Sequence, residues 1–144
     1  MVDANITSPE DPFYNCIAWA VNDDKNWWEP DPMNLSHWPS AAPRRYTIDA
    51  YVIAYEILGY EICDNLDMET GYEKVVLYKN DFDVPTHASR QIGSNKWTSK
   101  LGPAFDVEHP FFDHWDDLLL KPDNIPAGTS IYGKLAKILK KKIN

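Results

Sequence analysis

Apolar residues recur at helical spacing in the stretch YTIDAYVIAYEILGY. Ile48, Tyr51, Val52, Tyr55 and Leu58 fall at i, i+3, i+4, i+7 and i+10, which makes one stripe of an amphipathic helix. Thr47 is placed to cap it and Gly59 to stop it. Past Gly59 the period shortens. YEKVVLYKN, PTHASRQI and KWTSKLG read as strands over 73–80, 86–92 and 96–101, separated by the turn-rich DFDV and the short GSN. Three successive strands with short connections predict an antiparallel meander. EIC at 61–63 adds a short edge strand.

The flanks are less periodic. Residues 1–12, with Pro9 and Pro12, read as an extended arm. The run YNCIAWAV predicts a short helix opening at Cys16, with Asn15 as its cap. Residues 23–46 carry Pro30, Pro32, Pro39 and Pro43 and so form neither helix nor strand. Trp27, Trp28 and Trp38 in that loop argue against disorder and predict that it folds back over the domain. HWDDLLL reads as one helical turn or a packed loop. In the tail, Ile131, Leu135, Ile138 and Leu139 share one helical face ahead of Lys140–Lys142, predicting a basic amphipathic helix over 130–144 docked on the domain. The whole is one α+β domain spanning 1–144.

Charge narrows the function classes. The chain has 144 residues and a formal net charge of −8, which argues against a nucleic-acid partner, since such affinity comes from basic residues. Hydrophobic residues make up 44 %, an ordinary globular share, and no run has the ~18 apolar residues of a membrane span. The N-terminus shows no apolar or basic signal region, so a cytoplasmic setting is the default. An effector exported without such a signal would look the same. Two cysteines, Cys16 and Cys63, are too few for a disulfide framework. Cys63, flanked by apolar residues, reads as core. His109 and His114, with Asp106, Glu108 and Asp113, lack any HExxH or CxxC spacing, so no metal and no cofactor is expected.

The chemistry begins at Cys16. A cysteine in the first turn of a helix meets free N–H groups and the positive dipole end, both of which favour thiolate. A buried structural thiol is the alternative. If GSN is a three-residue loop with Ile92 opposite Lys96, then Gln91 pairs with Trp97, Ser89 with Ser99 and His87 with Leu101. All six then share one face of the sheet. A two-residue loop would bring Lys100 to that face in place of Ser99. A thiol, an imidazole and a third polar group are the components of thiol nucleophilic catalysis. Trp27 and Trp28 could wall a substrate groove, and Asn15 and Lys100 are candidate substrate contacts. Arg90, like Lys100, could meet an acidic group.

A helix-borne Cys followed by antiparallel strands bearing His and a polar residue resembles the circularly permuted papain-like fold of the NlpC/P60 and CHAP cysteine peptidases and amidases. The spacing in HASRQIGSNKWTS carries that likeness. The chain also resembles an uncharacterised bacterial domain family with the signatures YNCIAWA, GYEKVALY, THAARQ and WTSKLG, which appear here as YNCIAWAV, GYEKVVLY, THASRQ and WTSKLG over most of residues 13–110. The first resemblance implies a Cys-bearing helix packed on an antiparallel sheet, with Cys16 as nucleophile, His87 as general base and Ser99 as orienting residue. It also implies hydrolysis of a peptide or amide bond in a peptide or protein substrate, a peptidoglycan stem peptide included. Against its pattern, Asn15 stands where Asp is usual, and Ile17 and Trp19 stand where small residues are usual. Two alternatives keep the fold: a non-catalytic binding or immunity module, and a deamidase or transglutaminase-like effector.

Overall fold

The computed structural model describes residues 5–115 and 132–143. The expected turn at HWDDLLL and the placement of Ile131 lie largely or wholly outside them. The elements are β1 (Asn5–Ile6), α1 (Cys16–Ala20), α2 (Ile48–Ile57), β2 (Glu61–Cys63), β3 (Tyr72–Lys79), β4 (Pro85–Gly93), β5 (Lys96–Lys100), β6 (Asp106–His109) and β7 (Lys134–Lys142). The strands form one seven-stranded sheet in the order β1-β6-β5-β4-β3-β7-β2, and every neighbouring pair is antiparallel. The result is an α+β arrangement dominated by the sheet, with the expected meander of β3, β4 and β5 extended by β6.

Two hydrophobic clusters hold the sheet, one on each face. On the first, Val75, Leu77, Ala88 and Leu139 pack beneath α1 and α2. On the second, Val76, Tyr78, Trp97, Leu101 and Val107 pack with Phe112 and Trp115. Strand alternation produces this split, because successive side chains point to opposite sides. In α2 the expected stripe is inward: Tyr51, Val52 and Tyr55 are buried, and Ile48 and Leu58 pack against the same cluster. The Pro- and Trp-rich loop folds back over α2. Trp28 pairs with His37 in a parallel bridge, Trp38 lies 5.0 Å from the Tyr51 ring, and Trp28 and Trp38 are both buried.

Three expectations are corrected. The C-terminal segment is a strand: β7 lies between β3 and β2, although Leu135, Ile138 and Leu139 have helical spacing. A bulge opposite Leu77/Tyr78 adds one residue to β7. Leu135 and Ile138, three apart, thereby reach the same second-face cluster, while Leu139 enters the first. A bulge makes a strand imitate the i, i+3 signature of a helix. The β4–β5 connection is also shorter than GSN. Gly93 faces Lys96 and Gln91 faces Trp97, with Ile92 bulged between them. A two-residue loop alone would have reversed the face of β5. The bulge restores the parity, and Gln91 pairs with Trp97 as expected. Finally, Cys63 is half-buried, on the edge strand β2.

No helix among the described residues is long and apolar enough to cross a membrane.

Candidate functional site

Cys16 opens α1 as the sequence predicts. Asn15 has extended backbone angles, and its side-chain oxygen accepts from the Ala18 N–H at 3.2 Å, so it is the cap. The same amide also fixes the loop: it accepts from Trp28 N at 3.2 Å and donates to Trp28 O at 2.8 Å. With both ends of Asn15 engaged by the chain, it is a structural clamp between helix and loop. Cys16 is only 8 % exposed. Burial pushes its thiol up to about 11, against the opposing pull of the Ala88, Ile17 and Cys16 backbone groups and of Lys100. The helix start is therefore outweighed by desolvation.

His87 does not face Cys16. The pairings Leu77↔Ala88 and Tyr78↔His87 put Ala88 on the first face with α1 and His87 on the second. There the His87 ring stacks on Tyr132 at 4.1 Å and meets Trp115 at 4.6 Å. It is fully buried, and among the described residues neither ring nitrogen has a hydrogen-bond partner. Burial holds its pKa well below the usual histidine value.

Ser99 is on the expected face, bonded to Ser89 at 2.7 Å. Its imidazole partner, however, is His109, whose Nε2 lies 2.6 Å away. Sequence reasoning missed this role. The register Trp97↔His109 and Ser99↔Val107 makes His109 a diagonal neighbour of Ser99. The alternation in DVEH was the available signal. His109 Nδ1 lies 2.6 Å from the Pro110 carbonyl, and burial lowers its pKa to about 4. Among the described residues no group of three or more His, Cys, Asp or Glu side chains is disposed to hold a metal ion.

The cationic candidates are held inside the protein. Lys100 is fully buried. Its ammonium donates to the carbonyls of Asp11 (2.6 Å), Tyr14 (2.9 Å) and Gly102 (2.6 Å) and sits 4.5 Å from the centre of the Tyr14 ring. Arg90 lies over Trp19 at 4.7 Å and donates to Trp19 O and to the Asn22 side chain. These contacts tie the N-terminal segment and α1 to the sheet. Asp106, its pKa raised by burial, takes the Tyr14 hydroxyl at 3.0 Å on the same face.

What the structure does gather around Cys16 is a cavity of about 240 Å³. Asn15, the cap of α1, lines it with Cys16 and Ile17 of α1, with Pro85 and Thr86 from the start of β4 and with Gly102. Five aromatic side chains complete it: Trp27, Trp28, Tyr46, Tyr51 and Tyr132. Glu29 also lines it, and accepts from Trp27 Nε1 at 3.2 Å and from the Tyr46 hydroxyl at 2.6 Å. So Cys16, Asn15, Trp27 and Trp28 line one cavity. His87, Ser99 and Lys100 are not among the lining residues.

The family model described as a domain of unknown function (DUF7689) matches residues 5–140, so the chain belongs to that family. No curated protein and no solved structure matches it.

Proposed function

We propose that this member of the DUF7689 family is a non-catalytic binding module, in which the helix-borne cysteine floors a ligand cavity. The observation that carries this reading is the environment of Cys16. Cys16 lines an aromatic-rich cavity, its thiol is protonated at neutral pH because burial raises it to about 11, and no imidazole stands among the described residues that line that cavity. Apolar walls with a few placed polar groups are the usual make-up of a ligand site. The finer comparison, to an NlpC/P60-like or other papain-like frame, is supported by the packing of Cys-bearing α1 against β4 and β5. The face on which His87 stands weighs against a working dyad.

A second reading is favoured by one observation, that Cys16 lines the cavity. It is a thiol hydrolase or acyl-transfer enzyme acting on peptide, protein or peptidoglycan-stem amides. Intact-protein mass spectrometry separates the two. Iodoacetamide is expected to label half-buried Cys63 first and Cys16 only as pH approaches 11. Stem peptides and glutamine-containing proteins should leave no adduct and yield no product. In a panel of small neutral, anionic and cationic compounds, at least one should move the Trp27 and Trp28 indole N–H signals, also in Cys16→Ala. A Cys16-linked thioester, a product lost in Cys16→Ala, or rapid Cys16 labelling near pH 6 would make the protein an enzyme. Silence from the whole panel would end the binding reading.

A further inference from the structure

We propose that the Cys16 cavity receives an alkylammonium group, either on a free small molecule or at the tip of a lysine side chain. This rests on the binding-module reading and names its ligand class. Glu29 alone among the lining residues carries a formal charge. Its carboxylate is oriented by the chain, with one oxygen taken by Trp27 Nε1 and the other by the Tyr46 hydroxyl. An ionised carboxylate has about four acceptor sites, so two donors leave room for a third. No cation among the described residues is paired with it. Among the described residues no salt bridge involves Glu29: Arg44 is paired with Asp31 and donates to Asn34 and Ser36, and Lys100 is held by three carbonyls.

The rest of the wall has the same preference. Aromatic faces carry negative electrostatic potential and attract cations, most strongly when the site is shielded from water. Five aromatic residues line this cavity beside the carboxylate, one of them, Tyr132, with one ring face taken by His87. An anion would meet the Glu29 carboxylate with no cationic side chain among the lining residues to offset it, and Asn15 already occupies the Ala18 N–H at the helix start. Size agrees. At about 240 Å³ the space falls below the roughly 300–1,000 Å³ of sites for drug-sized molecules, so it suits one head group and its methylene stem. A larger recess of about 470 Å³ carries Lys79 and Lys137 as well as Asp49 and Asp83. Its mixed signs select for nothing. A net charge of −8 further raises the local concentration of cations.

Four probes test the proposal through the Trp27 and Trp28 indole N–H signals: n-butylammonium, N-acetyl-lysine methylamide, its apolar counterpart N-acetyl-norleucine methylamide, and N-acetyl-glutamate methylamide. The two ammonium compounds should bind and the other two should not. The tighter of the pair tells a free ammonium from a lysine tip. Glu29→Gln should weaken binding about tenfold, a loss of ~1.4 kcal/mol, with an unchanged melting temperature. Should that variant fail to fold, Trp27→Leu on the half-buried wall should weaken binding likewise. Equal binding of the norleucine or glutamate compound, or full affinity in Glu29→Gln, overturns the ammonium assignment and leaves the binding module standing. If neither these probes nor the neutral and anionic compounds move the indoles, both readings fall.

Discussion

Ser99 stands in a hydrogen-bonded chain whose direction is fixed at one end. The Pro110 carbonyl can only accept, so His109 Nδ1, 2.6 Å away, carries the ring proton. Nε2 is then an acceptor, and Ser99 must donate to it and accept from Ser89. Ser99→Ala would leave the buried imidazole Nε2 without its donor, whereas the Ser89 hydroxyl can still turn to the Tyr78 hydroxyl. The expected cost is about 2 kcal/mol or more, read as a lower urea midpoint at pH 7. Ser89→Ala removes only the outermost donor and should cost about half as much. Equal effects would mean that Ser89, and not Ser99, is the hub. Residue types along the chain pointed to Ser99 as a polar neighbour of an imidazole. The identity of that imidazole depends on β5–β6 register, which the irregular spacing after Gly102 did not disclose.

The element scale turns on β7 and the glycine before it. Gly133 has φ +77°, and a Cβ there would overlap the backbone carbonyl of Lys79. That carbonyl belongs to β3, with which β7 pairs from Tyr72↔Lys142 to Lys79↔Lys134. Gly133→Ala therefore meets both a left-handed backbone and a rigid obstacle, at an expected cost of about 2–4 kcal/mol. Thermal melting measures it. A loss no larger than that from Gly71→Ala, where φ is +83° but nothing lies within 4 Å, would show the Lys79 contact to be immaterial. The same strand marks how far the fold could be read from the chain. The α2 stripe, the α1 cap and the meander follow from local periodicity and turn residues, and all are present. β7 does not, because its bulge lets a strand carry three-residue spacing, and its partner β3 lies some sixty residues earlier. The opposite faces of Cys16 and His87 were likewise illegible. Alternation assigns His87 to a face, but only tertiary packing decides on which face α1 lands.

Across the whole molecule each face buries cations, Lys100 and Arg90 on the first and Lys74, paired with Glu69 at 2.9 Å, on the second, but only the second buries imidazoles, and acid should expose that difference. The first face holds buried cations, Arg90 and Lys100, near the Asp106 carboxyl. The second holds two imidazoles among rings: His87 against Tyr78, Trp115 and Tyr132, and His109 against Phe112 and Trp115. Burial lowers His87 well below 6.5 and His109 to about 4. Above pH ~6.5 both are neutral whether the chain is folded or unfolded, so neither contributes to the pH dependence. As pH falls below ~6.5 the unfolded chain takes up protons that the folded protein refuses, and stability declines until the folded groups also titrate. For His109 that window closes near pH 4, and the loss across it is on the order of 3 kcal/mol. His87 adds to it in the same direction. Urea unfolding of the wild type should therefore weaken steadily from pH 7 to pH 4. Carboxylates held low by hydrogen bonds, such as Asp23, lose their contribution mainly at the acid end of this range and below it. The paired variant His87→Phe with His109→Gln isolates the imidazoles, and its stability should change much less between pH 6.5 and 4.5. If variant and wild type decline in parallel there, the two rings are not the acid-sensitive groups, and the aromatic face is more hydrated than its packing implies.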